Sequence, residues 1–459
     1  MARVLLISTN TTTEPYPVYP LGMSVIAAAL ERDGHTVRQF DFLAAGKELE
    51  PLAAVLTEFQ PDLTGISLRN IDNVDSLSFA ENWYLSHVRE VAHFLKQDGY
   101  TVVVGGSGFS LMPEIILDYL GADFGVVGEG EQKMRRLVHM LEAGDVPPRV
   151  MKPEKGLGSK EMITPVRDEA ILDFYMKQSC IASVQTKRGC ENRCAYCSYP
   201  SIEGGWLRPR AVADVVDEIE TLYLRNGVDS VFFTDSVFND SHGYYLELAE
   251  ALVRKQLPIK WSGFFQPTSV DATTLDLLKR SGLHAMEVGT DAATDETLEA
   301  MNKPFSFADV REFNAACVAA RIPCAHFVIF GGPGETLETA RQGIANLNAL
   351  EHCVVFPFSG IRLYRGTPLY AQARRERLVD PADTLLEPKF YFSPFVDPAQ
   401  LNEMLKKGFA GRRDRIFPPS DGQERMNVLR RFGYRGLLWD TLISFPKESA
   451  APPLYGVSS

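Results

Sequence analysis

Cys190, Cys194 and Cys197 stand at spacings of four and three in the segment KRGCENRCAYCSYP, residues 187–200. Thiols this close bind metal, carry out redox chemistry or pair as disulfides. The chain has seven cysteines, an odd number with no even disulfide framework, which fits a reducing cytoplasm. A structural zinc site takes four ligands, often as two separated pairs. Here there is a triplet with no second cluster. Cys180 lies upstream, and Cys317, Cys324 and Cys353 fall in helical or strand patterns, where a cysteine acts as a small hydrophobe. Iron–sulfur clusters are held by thiolates, usually four. Three thiolates on one loop leave one iron open for a further ligand.

Such a loop needs a scaffold. The runs near 181–187, 230–235 (SVFFTD), 259–265 (IKWSGFF), 285–290 (AMEVGT), 325–330 (AHFVIF) and 354–361 are strand candidates, with helices such as AVADVVDEIETLYLRNG between them. Six βα units predict a partial barrel over residues 181–384, and sites on such barrels lie at the carboxyl ends of the strands. The triplet follows the first strand. Residues 1–145 carry a second series, VLLIS (4–8), TVRQFDF (36–42), LTGISLR (63–69), TVVVGGS (101–107) and FGVVGEG (124–130). This series predicts a Rossmann-like, doubly wound parallel sheet. Its strand ends carry Arg69-Asn70, Gly105-Gly106-Ser107-Gly108 and Gly128-Glu129-Gly130, where a large ligand would bind. Residues 146–180 are rich in Pro, Gly, Lys and Glu and read as a linker. Residues 385–459 read as a small, mainly helical C-terminal cap.

The whole composition narrows the classes. A chain of 459 residues exceeds one core. A net charge of −12 argues against a broad nucleic-acid surface. No apolar run reaches the roughly 20 residues of a membrane span. MARVLLISTN lacks the features of a signal peptide, so a cytoplasmic protein is expected.

C-x3-C-x2-C with an aromatic, Tyr196, before the last cysteine, after the first strand of a βα barrel, resembles the radical S-adenosylmethionine (SAM) enzymes. The resemblance implies that Cys190, Cys194 and Cys197 hold a [4Fe–4S] cluster whose open iron is chelated by SAM. Four further stretches resemble that family: TDSVFN (234–239), MEVGTDAATDETLEAMNKP (286–304), FVIFGGPGET (327–336) and LYRGTPLY (363–370). They imply SAM contacts from Tyr196 and Asp291, from Asp235 near the methionyl amine or ribose, and from Gly331, Gly332 and Gly334 near the adenine. The family's usual Gly-x-Glu-Ser is Gly289-Thr290-Asp291-Ala292 here. PLGMSVIAAALERDGHTVRQFD (20–41), VVVGGSG (102–108) and GVVGEGEQ (125–132) resemble the cobalamin-binding domain of the B12-dependent members. They imply cobalamin contacts from Leu21, Gly22, Arg69, Asn70, Gly105, Gly106, Ser107, Gly128 and Glu129. No G-x-G-x-x-G opens a helix after the first strand, which argues against a nicotinamide. The D-x-H-x-x-G motif that supplies a cobalt-binding histidine is absent. His35 sits in a turn and is expected to face solvent. Arg69 or Asn70 is expected to face the cobalt, the competing reading being an ion pair of Arg69 with Asp72 or Asp75.

The resemblance implies an enzyme that transfers a methyl group from SAM via methylcobalamin to an unactivated carbon or phosphorus of a small molecule, lipid or peptide. It also implies an external one-electron reductant of the flavodoxin or ferredoxin type. Two alternatives remain open: a non-methylating rearrangement, ring contraction or cyclisation on the same cofactors, and a non-catalytic cobalamin sensor or carrier. A methylthiotransferase would need three more cysteines in the N-terminal region, and none precedes Cys180. Tyr175, Phe264, Phe265, Tyr364 and Tyr391 are candidates for a substrate cavity, more than half of them expected in the core.

Overall fold

The computed structural model describes residues 1–14, 16–78, 83–152, 156–268 and 270–446. Residues 153–155 of the expected linker and 447–459 of the expected cap lie outside these.

Six parallel strands build the first sheet: β1 (Arg3–Ser8), β2 (Thr36–Asp41), β3 (Leu63–Ser67), β4 (Val102–Gly105), β5 (Phe124–Val126) and β6 (Val150–Met151). Their order is β2-β1-β3-β4-β5-β6. In β1 the four residues Val4 to Ile7 are all buried, the near-continuous apolar run of a strand covered on both faces. The order reverses between β1 and β3, and a switch of this kind opens a crevice beyond the carboxyl ends of the strands.

β6 lies in the stretch whose composition reads as a linker. So does the helix Glu169–Ser179, capped by Asp168, whose side chain accepts the Ile171 N–H at 3.0 Å. A two-residue strand is too short to leave a periodic pattern, so the composition dominated the reading.

The second sheet starts with β7 (Ala182–Val184). A short antiparallel hairpin of β8 (Lys187–Arg188) and β9 (Arg208–Pro209) branches off. The sheet continues with β10 (Ser230–Phe233), β11 (Lys260–Phe265), β12 (Leu283–Asp291), β13 (Cys324–Phe330) and β14 (Val354–Ser359). All six main strands are parallel and adjacent in chain order, as in a partial barrel. Side chains facing the lumen follow from the register: Phe232 beside Ser262 and Ala285, Phe264 beside Glu287, Ala325 and Val354, and Phe327 beside Phe356.

Six strands leave a seam between β14 and β7, and the C-terminal residues fill it. The free edge of β14 is paired by residues 414–416: Val355 N–H donates to Asp414 O at 2.8 Å, and Ile416 N–H to Val355 O at 2.9 Å. Near β7, Gly436 N–H donates to Ser179 O at 3.0 Å. Covering the edge removes a row of unpaired backbone groups. The helices Pro398–Gly408 and Pro419–Arg431 and the 3-10 turn Trp439–Leu442 make up this cap. At the amino-terminal end of the strands, His284 Nε2 lies 2.7 Å from Asp440 Oδ2. Trp439 there is buried among Ala285, Ala325 and Val354 and floors the lumen.

Candidate functional site

The triplet loop leaves β8 through a turn that only glycine can make. Gly189 has φ +86°, and a Cβ there would sit 2.0 Å from Trp206 O. Backbone bonds then fix the loop: Cys190 N–H to Gly204 O (3.2 Å), Ala195 N–H to Met301 O (2.9 Å), and Leu369 N–H to Ala195 O (2.8 Å). Cys194 is buried, and Cys190 and Cys197 are partly so. All three are free thiols. Burial pushes the Cys197 thiol up to about 12 and raises Cys190 as well. Such thiols need a nearby positive centre to become thiolates. Lys303 supplies one, its Nζ lying 3.3 Å from Cys194 Sγ. The three sulfurs are not among the ligand groups whose atoms all fall within 4.8 Å of one another. Around one tetrahedral zinc, sulfurs at about 2.3 Å from the ion would lie about 3.8 Å apart. The donor set therefore fits a larger inorganic core better than a single ion.

Beside the loop, Lys303 also bonds Asp291, and Tyr196 bonds Asp291 in turn. Asp291 has φ +61° at a register shift between β12 and β13, a distortion of a kind found next to functional sites. Asp291 and Tyr196 thus stand together at the triplet. Asp235 does not. It is fully buried, accepting from Thr186 N–H (2.7 Å), Thr186 Oγ1 (2.5 Å) and Lys187 N–H (3.2 Å). Its carboxylate orders the β7–β8 junction that launches the loop and has no oxygen free for the amine or ribose of SAM. That expectation is corrected. Gly331 and Gly332 owe their lack of a side chain to protein neighbours: a Cβ would lie 2.9 Å from Phe392 Cδ1 and 2.3 Å from Met301 Cε, respectively. Gly334 has φ +76° in the same turn. Through Met301, whose carbonyl holds Ala195, this turn adjoins the triplet loop.

At the carboxyl edge of the first sheet lies a cleft with about 1540 Å³ of atom-free space, part of it continuous with solvent. Leu21, Gly22, Arg69, Gly105, Gly106, Ser107, Gly128 and Glu129 all line it. Asn70 is exposed and does not. Gly106 has φ +103° and leaves no room for a Cβ, which would meet Leu68 O at 2.4 Å. The Glu129 carboxylate is taken up by Arg188 (3.0 Å), Arg208 (2.8 Å) and Leu157 N–H (2.7 Å), tying the first sheet to the β8–β9 hairpin. Burial would raise its pKa, but these partners together hold it below the usual carboxylate value. Arg69 has no carboxylate partner among the described residues. Asp72 pairs with Arg362 at 2.9 Å, and Asp75 bonds within its own turn. The Arg69 Nε is buried without a partner, and Arg69 lines the cleft.

Sequence reasoning missed the opposite wall of this cleft. Ser183, Gln185, Arg188, Ile202, Glu203 and Thr234 come from the barrel side and flank the triplet loop in sequence. Ser183, Gln185 and Thr234 are signalled only by their position at strand ends. Of the aromatic candidates, Tyr175, Phe265 and Tyr391 are buried in the core, whereas Phe264 is 40% exposed on the lumen face. Tyr364 lies under the guanidinium of Arg362 at 4.9 Å.

His35 is 6% exposed and does not face solvent as expected. Its Nδ1 accepts the Ala2 N–H at 3.1 Å. With Asp33 and His139 it forms a group of ligand atoms within 4.8 Å of one another. An imidazole accepting at Nδ1 carries its hydrogen on Nε2 and has no lone pair left for a metal, and Arg135 already occupies Asp33 at 2.6 Å. The cluster is structural.

Residues 7–138 match the profile of the B12 binding domain, and residues 184–344 that of the Radical SAM superfamily. The tryptophan 2-C-methyltransferase of Streptomyces laurentii is 25% identical, with 76% of this chain and 70% of that protein covered. The cytidylyl-2-hydroxyethylphosphonate methyltransferase of Streptomyces wedmorensis is 24% identical, with 91% of each covered. Among solved structures, the radical S-adenosylmethionine methyltransferase TsrM from Kitasatospora setae, with cobalamin and a [4Fe–4S] cluster bound, shares the fold. It aligns with a TM-score of 0.84 at 24% identity over 96% of this chain and 97% of that one. A B12-binding domain joined in one chain to a radical SAM domain is the arrangement of the cobalamin-dependent radical SAM enzymes, and this chain has that arrangement.

Proposed function

We propose that the protein is a methyltransferase that moves the methyl group of SAM, by way of cobalamin, to an unactivated carbon or a phosphorus of a small molecule, a lipid or a peptide. One observation carries this reading: a single cleft is walled by the strand ends of both sheets, with the triplet loop flanked in sequence by residues of its wall. Chemistry begun at one cofactor can then be completed at the other without release of an intermediate to water.

When bound, the cluster supplies an electron to SAM and cobalamin supplies a methyl-carrying metal centre. The chain's own residues hold and orient these groups. Cys190, Cys194 and Cys197 are the cluster ligands, and Lys303 balances their charge. Asp291 and Tyr196, with the turn of Gly331, Gly332 and Gly334, form the side of the loop on which SAM would rest. Gly105, Gly106 and Gly128 let the corrin edge approach the backbone, and Leu21 and Gly22 leave space beside it. Arg69 brings a positive charge with no acceptor lone pair to this cleft, so it would help hold the cofactor as a charge rather than as a metal ligand. The same reading implies an external one-electron reductant and the reducing interior of a cell, where seven free thiols persist. Among the described residues no helix is long and apolar enough to cross a membrane.

Anaerobic reconstitution with cobalamin, reductant and SAM carrying a deuterated methyl group tests the reading. Mass spectrometry against indoles, phosphonates and peptides should show a product heavier by the labelled methyl group. Consumption of SAM with no label on cobalamin or on any product would overturn it.

A further inference from the structure

Within the lumen rows of the second sheet, between Lys260 at the amino end and Asp291 at the carboxyl end, the charged side chain is Glu287. Its strand neighbours facing the same way are Phe264 and Ala325. Glu287 is 7% exposed. Its single hydrogen bond comes from Trp439 Nε1, which donates to Oε1 at 3.3 Å. Among the described residues no donor meets Oε2. A carboxylate in apolar surroundings is costly unless paired, so Oε2 is left to water or to a donor on a ligand. Burial pushes the Glu287 carboxyl up to about 7.

The surroundings give the occupant its shape. Phe264 packs edge-on to Phe232 with ring centroids 5.0 Å apart, and its 40% exposure on the lumen face shows open space there. Phe327 stacks on Phe356 at 5.1 Å and presents a flat wall. Tyr16 reaches in from the first domain, 6.4 Å from Phe232, close enough that the charges of both Glu287 and Arg69 act on its hydroxyl. Glu287 therefore sits among flat apolar side chains, with Tyr16 near enough to feel both its charge and that of Arg69 at the cleft.

We propose that Glu287 is the specificity residue for the methyl acceptor: its free oxygen takes an N–H or ammonium donor on a planar, largely apolar molecule held against Phe264, Phe327 and Tyr16. This rests on the methyltransferase reading for the fate of that molecule, but not for its binding. A molecule of the same shape without the donor leaves the carboxyl buried and half paired, a discrimination of about tenfold to a hundredfold.

Titration calorimetry on the reconstituted protein with indole, tryptamine and benzothiophene tests this, since benzothiophene has the shape of indole without its N–H. Indole and tryptamine should bind at least about tenfold more tightly than benzothiophene. That preference should vanish in Glu287→Leu, and tryptamine, whose ammonium meets the carboxylate's charge, should bind less tightly in Glu287→Gln while indole does not. Should the leucine variant fail to fold, the near-isosteric glutamine variant decides. Equal binding of all three probes, binding of none, an unchanged preference in Glu287→Leu, or unchanged tryptamine affinity in Glu287→Gln overturns the proposal. Cobalamin and SAM uptake are measured in the same samples. Loss of uptake would count against the methyltransferase reading, while the probe preference would still judge Glu287.

Discussion

Val4 to Ile7 of β1 are sealed on both faces, with nothing polar between Arg3 and Ser8. The strand β12 holds an equally central place in the second sheet and carries Glu287 inside its apolar run. Both sheets are six parallel strands with helical crossovers. What differs is strand order. The first reverses between β1 and β3 and is covered on both faces, so a ligand must sit beyond its edge, and polar residues gather at the strand ends. The second keeps chain order and curves, so its inner face encloses a lumen, and a polar residue within a strand can face a ligand. Where chemistry sits follows from topology more than from composition.

The sharpest break is expected at the triplet. Cys190→Ala, Cys194→Ala or Cys197→Ala should each abolish the iron–sulfur absorbance and all SAM cleavage. Cys317→Ala and Cys353→Ala, buried in the packing of the same barrel, should retain both. A full iron complement in any one triplet variant would remove the second sheet from this chemistry.

Next comes the edge of the first sheet. Gly106→Ala should cost about 2–3 kcal/mol in urea unfolding, because both its φ and its contact with Leu68 O exclude a Cβ. Gly22→Leu, where nothing lies within 4 Å of the Cβ position, should leave the unfolding midpoint in place and lower cobalamin uptake. Uptake unchanged by Gly22→Leu would show that the ligand does not use this edge.

A smaller effect separates the sheets by pH. His326 is buried between Thr290 and Asn314, and burial lowers it to about 3. Between there and its ordinary value near 6.5 the unfolded chain binds a proton that the folded chain refuses, so this contribution to stability is lost as pH falls through that window. Glu287 has the opposite sign: it keeps a proton when folded, so its contribution is present at pH 4 and declines toward pH 7. His326→Gln should flatten the acid loss, and Glu287→Gln the decline toward neutrality, both read from unfolding midpoints across pH 4 to 7. An unchanged acid slope in His326→Gln would show that the imidazole is protonated when folded.

The smallest effect concerns Arg69. Arg69→Ala should keep cobalamin bound and alter methyl-transfer kinetics. The paramagnetic resonance spectrum of the Co(II) form of the parent protein should lack splitting from an axial nitrogen. Such splitting would mean that the lower face is ligated.

The strands of both sheets were legible because β-branched and apolar runs alternate with helical periods, and parallel strands buried on both faces leave the strongest such signal. The triplet was legible because spacing alone constrains it. Asp235 misled: an acid at a strand end looks the same in sequence whether it meets a ligand or its own backbone. Glu287 was visible as a lone acid within AMEVGT. Its importance depends on which face of β12 looks inward, and a strand covered on both sides does not reveal this. The place of Tyr16 beside the lumen and the floor at Trp439 were hidden for another reason. Each works only against residues far away in the sequence, and no local pattern records that.

The clasp between the two ends of the described chain bears on biosynthesis. Arg430 Nη1 donates to Thr13 O at 3.3 Å, Asn427 Nδ2 to Glu14 Oε1 at 3.2 Å, and Trp439 closes the lumen floor. All three donors emerge from the ribosome after every strand of both sheets. A nascent chain therefore has its cysteines and its cleft in place while the barrel still lacks its floor and seam. At that stage the lumen is open at the amino-terminal end of its strands, and translation of the cap closes that end.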